Sequence, residues 1–103
     1  MNRVPSSHRL MGCTIEELLH WLPAASNGSL FRVNQVSDMT NQWQIDFPKE
    51  GIHIIARVEP SRKIALLVIP VLAVNFYFED SWDLSARDEW MRRFDMYTQR
   101  GGG

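Results

Sequence analysis

Several residue types are too scarce in this chain for some large classes of protein. Cysteine occurs once, at Cys13, so no intramolecular disulfide can form, which is typical of a reducing compartment. Basic residues do not outnumber acidic ones, since eleven Lys and Arg stand against twelve Asp and Glu and the net charge is -1. We therefore expect no nucleic-acid partner and no attraction to an anionic membrane.

Long apolar runs are missing as well. The most apolar stretch, residues 64–78, is shorter than the roughly 20 residues of a membrane-spanning helix, and it contains Pro70 and Asn75. The first nine residues lack the apolar centre of a secretory signal. These features predict a soluble, cytoplasmic protein without a membrane partner.

Large apolar side chains are abundant. Hydrophobic residues make up 45% of the 103 residues, and four Trp and five Phe are among them. This is enough for one hydrophobic core at a length that is common for a single domain. We interpret residues 1–12 as a flexible N-terminal arm, residues 13–100 as one α+β domain, and residues 101–103 as a flexible glycine tail.

Two helices are predicted, one near each end of the domain. Thr14 and Glu17 form a capping-box pattern at the start of the first helix, and Pro23 is expected to end it. Ser85 is the expected N-cap of the second helix. Each helix has one apolar face that is expected to pack on the core, formed by Ile15, Leu18, Leu19 and Leu22 in the first and by Ala86, Trp90, Phe94 and Tyr97 in the second.

Between the helices the sequence predicts strands. Apolar and polar residues alternate over residues 31–34, 43–47, 52–58 and 72–78, as in strands with one buried face. The polar connections at residues 37–41, 48–51 and 59–62 are short enough for antiparallel hairpins. The predicted fold class is α+β, an antiparallel β-meander of four to five strands flanked by an N-terminal and a C-terminal helix.

Residues 64–69 are apolar at every position, which is typical of a strand covered on both faces. If a turn at Pro60 and Ser61 sets the register, one set of side chains faces the core and the other lies outside beside Ile55. A turn longer by one residue exchanges the two sets. These sets are Ala65, Leu67 and Ile69 on one side and Ile64, Leu66 and Val68 on the other.

In either register an aliphatic stripe stays on the face away from the core. We expect a second copy of the chain to cover this stripe in a closed dimer. The alternatives are that one helix crosses each face of the sheet, or that the sheet curls at Pro70 and covers itself. The candidate interface residues are Ile55, Ile64, Leu66, Leu67 and Val68.

The sequence contains no pattern specific for a metal, a cofactor or a catalytic nucleophile. The spacing of His8, Cys13 and His20 matches no zinc motif, so neither a metal nor a cofactor is expected. A Cys–His pair that includes Cys13 would have to form in space, and a buried structural thiol is the simpler interpretation. The acidic residues at 79–89 are explained by a solvated loop and a helix start.

Arg87 falls within the apolar arc of the second helix, where an arginine either covers the rim of the core or binds an anion. The ligand-binding candidates are Arg87, His53 and Arg57. The function that these observations favour is a small non-enzymatic interaction module that self-associates through the sheet. The alternative is a small enzyme or ligand-binding protein with a pocket between a curved sheet and the helices.

Overall fold

The computed structural model of the chain describes residues 4–36 and 41–98. These residues form five strands and two helices in a single antiparallel sheet with helices beside it, which confirms the predicted α+β class. The elements are β1 (Ser7–Met11), α1 (Ile15–Ala25), β2 (Arg32–Gln35), β3 (Gln42–Phe47), β4 (Ile52–Ile64), β5 (Leu67–Phe78) and α2 (Leu84–Thr98).

The sheet is a meander with one added strand. Strands β2 to β5 are neighbours in chain order, and β1 pairs with the outer edge of β5, so the strand order is β1-β5-β4-β3-β2. Every pairing is antiparallel. Because β1 and β2 lie at opposite edges, α1 connects the two edges of the sheet.

Both helices lie on the same face of the sheet, which we call the core face. Buried residues alternate with half-buried ones along residues 44–47 of β3, 52–56 of β4 and 74–78 of β5, and the buried set contacts α1 and α2. Phe76 is fully buried, and its ring lies 4.8 Å from that of Phe94 and 6.0 Å from that of Trp90, measured between ring centroids. The opposite face of the sheet, the outer face, has neither helix on it.

Helix α1 begins as predicted but ends later. The Thr14 hydroxyl accepts a hydrogen bond from the Glu17 backbone N–H at 3.1 Å, and the Glu17 carboxylate accepts one from the Thr14 backbone N–H at 3.0 Å. Pro23 was expected to end this helix, and that prediction is wrong because the helix continues to Ala25. Proline removes only its own N–H, whereas the Ser26 N–H still donates to the Leu22 carbonyl.

Helix α2 begins two residues earlier than expected, at Leu84. The predicted N-cap, Ser85, lies inside the helix, and Asp83 takes the capping role instead. The Asp83 carboxylate accepts from the Ala86 backbone N–H at 2.7 Å, while the Asp83 carbonyl accepts from the Arg87 N–H. Both Ser and Asp are good N-caps, so the local sequence allowed either start.

The predicted flexible arm at residues 1–12 needs correction, because residues 7–11 form the edge strand β1. Arg9 anchors this strand to α2 through a two-pronged ion pair with Asp95, in which both nitrogen–oxygen distances are 2.9 Å. The hydrogen bonds to Asp95 raise the pKa of Arg9 above its ordinary value. A five-residue strand with mixed polarity gave no clear alternation in the sequence. The glycine tail at residues 101–103 lies outside the described residues.

The prediction of a turn at residues 59–62 is also wrong. Strand β4 continues to Ile64, and a two-residue turn of Ala65 and Leu66 leads into β5. Pro60 and Ser61 lie instead at a bulge, where β4 has one residue more than β5 between consecutive pairs. Turn-forming residues made the bulge resemble a hairpin loop, whereas Ala and Leu at the real turn give no turn signal.

Candidate functional site

The far half of the β4–β5 hairpin, residues 59–71, extends beyond the rest of the sheet, and we call it the β-ribbon. Strand β1 pairs with β5 as far as Leu72, and β3 pairs with β4 as far as Arg57. In residues 4–36 and 41–98, no third strand pairs with the ribbon. An isolated two-stranded ribbon has little stability of its own in water, so this segment depends on further contacts.

Large aliphatic side chains are exposed on the ribbon. Leu66 at the turn is 99% exposed, Leu67 is 65% exposed, and Val68 is 62% exposed. By contrast, every second residue of the same two strands nearer the helices is buried. Single exposed aliphatic residues are ordinary on protein surfaces, whereas a contiguous exposed group is a candidate interaction surface.

One side of the ribbon continues the outer face of the sheet. Ala73 pairs with Arg57 and Leu10 on that face, and the alternation of β5 places every second residue towards the turn on the same side. Ile64 of β4 pairs with Leu67, so its side chain lies on the same side as these β5 residues. We call this set the aliphatic stripe; its members are Leu10, Ile64, Leu67, Ile69, Val71 and Ala73.

The predicted interface residues gather around the ribbon with one exception. Ile64 and Leu67 belong to the aliphatic stripe, Leu66 forms the turn, and Val68 pairs with Lys63 on the other side. Ile55 lies farther along the outer face, where it pairs with Asn75 and is half-buried. Neither predicted register is correct, because both put Ile64 and Leu67 on opposite faces, whereas the turn at residues 65–66 makes them cross-strand neighbours.

The other end of the outer face is polar. Four cross-strand neighbours form one row there: Arg32 of β2, Asp46 of β3, His53 of β4 and Tyr77 of β5. The Asp46 carboxylate accepts a hydrogen bond from His53 Nδ1. Because a carboxylate only accepts, the proton lies on Nδ1, and the Nε2 atom of a neutral His53 is an acceptor for a further group.

A cleft of about 320 Å³ includes this polar row, and the β3–β4 turn and Glu79 also line it. Gly51 in that turn has a φ of +71°, and a Cβ at this position would meet the Glu79 side chain. Within the described residues, the Arg32 side chain has no hydrogen-bond or ion-pair partner. The cleft therefore offers the Arg32 guanidinium, an oriented imidazole and carboxylate oxygens.

The three predicted ligand-binding residues are not brought together. His53 lies in the polar cleft, and Arg57 lies four residues along β4 on the same face, where its Nε donates to Glu59 at 2.6 Å. Arg87 lies in α2 on the core side of the sheet, and its Nε donates to the Trp82 carbonyl at 3.0 Å. The bond to Trp82 holds Arg87 at the rim of the core.

The space between sheet and helices is filled where the pocket of the alternative prediction would lie. Phe47, Phe76, Phe78 and Phe94 are at most 1% exposed there. A second open cleft, of about 500 Å³, lies along α2 on the side of Trp82, Trp90 and Tyr97. No helix in residues 4–36 and 41–98 combines the length and the apolar character that crossing a membrane requires.

Within the same residues, no group of three or more His, Cys, Asp or Glu side chains is placed to hold a metal ion.

The sequence interpretation missed Asp46 and Arg32 as neighbours of His53. The tight connection at residues 48–51 was the signal that could have found Asp46, because a hairpin closed there pairs Phe47 with Ile52 and hence Asp46 with His53. Comparison of the chain with protein-family models, curated proteins and solved structures finds no match.

Proposed function

We propose that this protein is a non-enzymatic interaction module that self-associates as a homodimer through its β-ribbon. The observation that supports the proposal is the group of exposed aliphatic side chains at residues 64–68, on a segment that lacks a third strand among the described residues. Burying the two of them that belong to the aliphatic stripe, Ile64 and Leu67, would gain up to about 1.5–3 kcal/mol each, so a partner surface would stabilise the ribbon substantially.

A cytoplasmic location is part of the same proposal. The single cysteine cannot form an intramolecular disulfide, and Cys13 is buried in the core as an apolar side chain would be. The ribbon would then assemble in a reducing compartment without any covalent link between the protomers.

Sedimentation velocity over a wide concentration range tests this function. We expect the 12.0 kDa chain to form a species of twice that mass at micromolar concentration. A shortened variant in which Asn-Gly replaces residues 60–70 serves as the comparison, since it joins Glu59 to Val71, which already pair. The shortened variant should fold and remain a monomer. A wild-type chain that stays monomeric at high micromolar concentration would contradict the proposal.

A second candidate function is binding of a small polar ligand in the outer-face cleft. Its support is the Arg32 side chain, which has no partner within residues 4–36 and 41–98, beside the Asp46–His53 pair in a concave surface. A ligand with a carboxylate or phosphate group for Arg32 and a hydroxyl or amine donor for His53 Nε2 fits this chemistry.

Titration with glycolate and with glycerol phosphate, followed by NMR of the His53 imidazole and the Arg32 side chain, tests the second candidate. We expect saturable shifts in the wild type that disappear in Arg32→Gln. Shifts that are absent, or equal in both proteins, would exclude these ligand classes from the cleft.

A further inference from the structure

We infer that two copies of the chain associate by packing their aliphatic stripes face to face, and not by adding strands at the ribbon edges. The packed strands of the two protomers run antiparallel to each other. The inference rests on the proposed self-association and specifies its geometry. The occupant of the stripe is the same stripe of a second copy, as a two-fold interface requires.

Both edges of the ribbon are unsuited to strand addition. Pro60 lies on the β4 edge at the bulge, and Pro70 lies at the same level on the β5 edge. Proline has no N–H to donate to an added strand, and a bulge turns the edge away from a flat approach. A strand from another copy would therefore meet a missing donor on whichever edge it approached.

The outer side of the ribbon has no such obstacle. Leu10 is 68% exposed, Leu67 is 65% exposed and Ile64 is 50% exposed, so half of the stripe is open to solvent. The stripe offers on the order of 300–500 Å² of apolar surface. A standard interface takes about 800 Å² from each protomer, roughly 65% of it apolar in homodimers, so the stripe would supply more than half of the apolar area.

The charges beside the stripe favour a second copy in one orientation. Glu59 pairs with Val71, and Arg62 pairs with Ile69 in the next row towards the turn, so opposite charges occupy neighbouring positions on β4. A two-fold axis that lies between the packed faces, perpendicular to the strands and between these rows, places Glu59 of each protomer over Arg62 of its partner. The same axis places Val71 over Ile69 and Ala73 over Leu67.

Sedimentation equilibrium of matched variants tests the packing. Leu67→Glu should weaken the dimer at least about a hundredfold, because each dimer loses two buried leucine side chains and gains two carboxylates. Leu66→Glu is the control, since Leu66 forms the turn outside the stripe, and it should change the dissociation constant by less than about threefold. Circular dichroism of each variant checks that the fold is retained.

A charge exchange tests the orientation. Arg62→Glu alone should weaken the dimer about tenfold or more, by setting like charges against each other. Glu59→Arg in the same chain should restore part of the affinity, since it also removes the carboxylate that accepts from Arg57. Pro70→Thr, which restores an edge donor, should leave the dimer constant unchanged.

The outcomes separate the two proposals. If the wild type is a monomer throughout, both self-association and its geometry are wrong. If the wild type is a dimer that Leu67→Glu leaves intact while Pro70→Thr tightens it, association uses the edges, and the face-to-face inference alone is overturned. If the variant with both Arg62→Glu and Glu59→Arg dimerises no more tightly than Arg62→Glu alone, the antiparallel orientation of the two protomers is wrong.

Discussion

The two halves of the β4–β5 hairpin share their strands and their antiparallel pairing, yet they differ in what surrounds them. Near the helices, residues 52–58 and 72–78 have a strand on each side and two helices on the core face. In the ribbon, residues 59–71 have no strand partner other than each other among the described residues. Pairing alone therefore does not determine burial, because neighbouring strands and helices provide most of the contacts that exclude water.

The difference also shows how two sequence patterns relate to burial. The alternation in residues 52–58 and 72–78 predicts one buried face, and Ile54 and Val74 on that face are fully buried under the helices. The continuous apolar sequence at residues 64–69 predicts a strand covered on both faces, yet Leu67 and Val68 are exposed beyond the helices. An uninterrupted apolar strand thus indicates that both faces need a covering, and the covering can belong to another copy of the chain.

The largest effect is expected for a substitution in the core. Phe76→Ala should lower the free energy of unfolding by about 3–5 kcal/mol, because it removes a fully buried ring that packs against Phe94 and Trp90. Leu66→Ala at the ribbon turn should change it by less than about 0.5 kcal/mol. Urea denaturation at low micromolar concentration measures both, and equal losses would remove the contrast between the two halves.

The next effect concerns the tight β3–β4 turn. Gly51→Ala should cost about 1–2 kcal/mol, because alanine at a left-handed position is strained and the new Cβ would meet the Glu79 side chain. Gly51→Asn is the control, since asparagine tolerates this conformation better and should cost less. Thermal unfolding of the three proteins gives the order, and an alanine variant as stable as the wild type would contradict it.

Loss of the N-cap of α1 should lower the free energy of unfolding by a smaller amount. Thr14→Ala should cost about 1 kcal/mol, since it removes the hydroxyl that accepts from the Glu17 N–H. Ser85→Ala should be neutral within about 0.5 kcal/mol, because Ser85 lies within α2 and alanine favours helix. Chemical denaturation distinguishes them. Equal losses would mean that Ser85 has a capping role after all.

The smallest effect is expected at the ribbon turn. Ala65 has a φ of +53°, a conformation that glycine adopts without strain, so Ala65→Gly should favour the turn. Because the ribbon lies outside the core, the global free energy of unfolding should change by less than about 0.5 kcal/mol. Slower hydrogen exchange of the Ile64 and Leu67 amides should report the local gain. Faster exchange would contradict the assignment of the turn.

The sequence was sufficient where local patterns matched the final contacts. The alternation in residues 43–47 and 52–58 predicted two strands and their buried faces, and Thr14 with Glu17 predicted the start of α1. It was insufficient where two signals competed. Pro60 and Ser61 are typical of a turn but accommodate a bulge, and the real turn at Ala65 is selected by the pairing of long strands, which no short window contains.

The candidate sites depended even more on the register. The apolar character of residues 64–68 predicted an interaction surface, but its shape required the position of the turn. His53 was identified as a polar residue on a strand, whereas its neighbours Asp46 and Arg32 come from two other strands. Side chains from separate strands become neighbours only after the register is fixed, so periodicity could not reveal the polar row.

Hydrogen exchange at several protein concentrations tests most directly whether the ribbon is completed by a second copy. Amides of the core half, such as Ile54 and Phe76, should exchange slowly and at rates that do not depend on concentration. Amides of Leu67 and Ile69 should exchange rapidly in dilute protein and slow by about tenfold or more once the dimer forms. Ribbon amides that exchange at one rate over the whole concentration range would contradict the account.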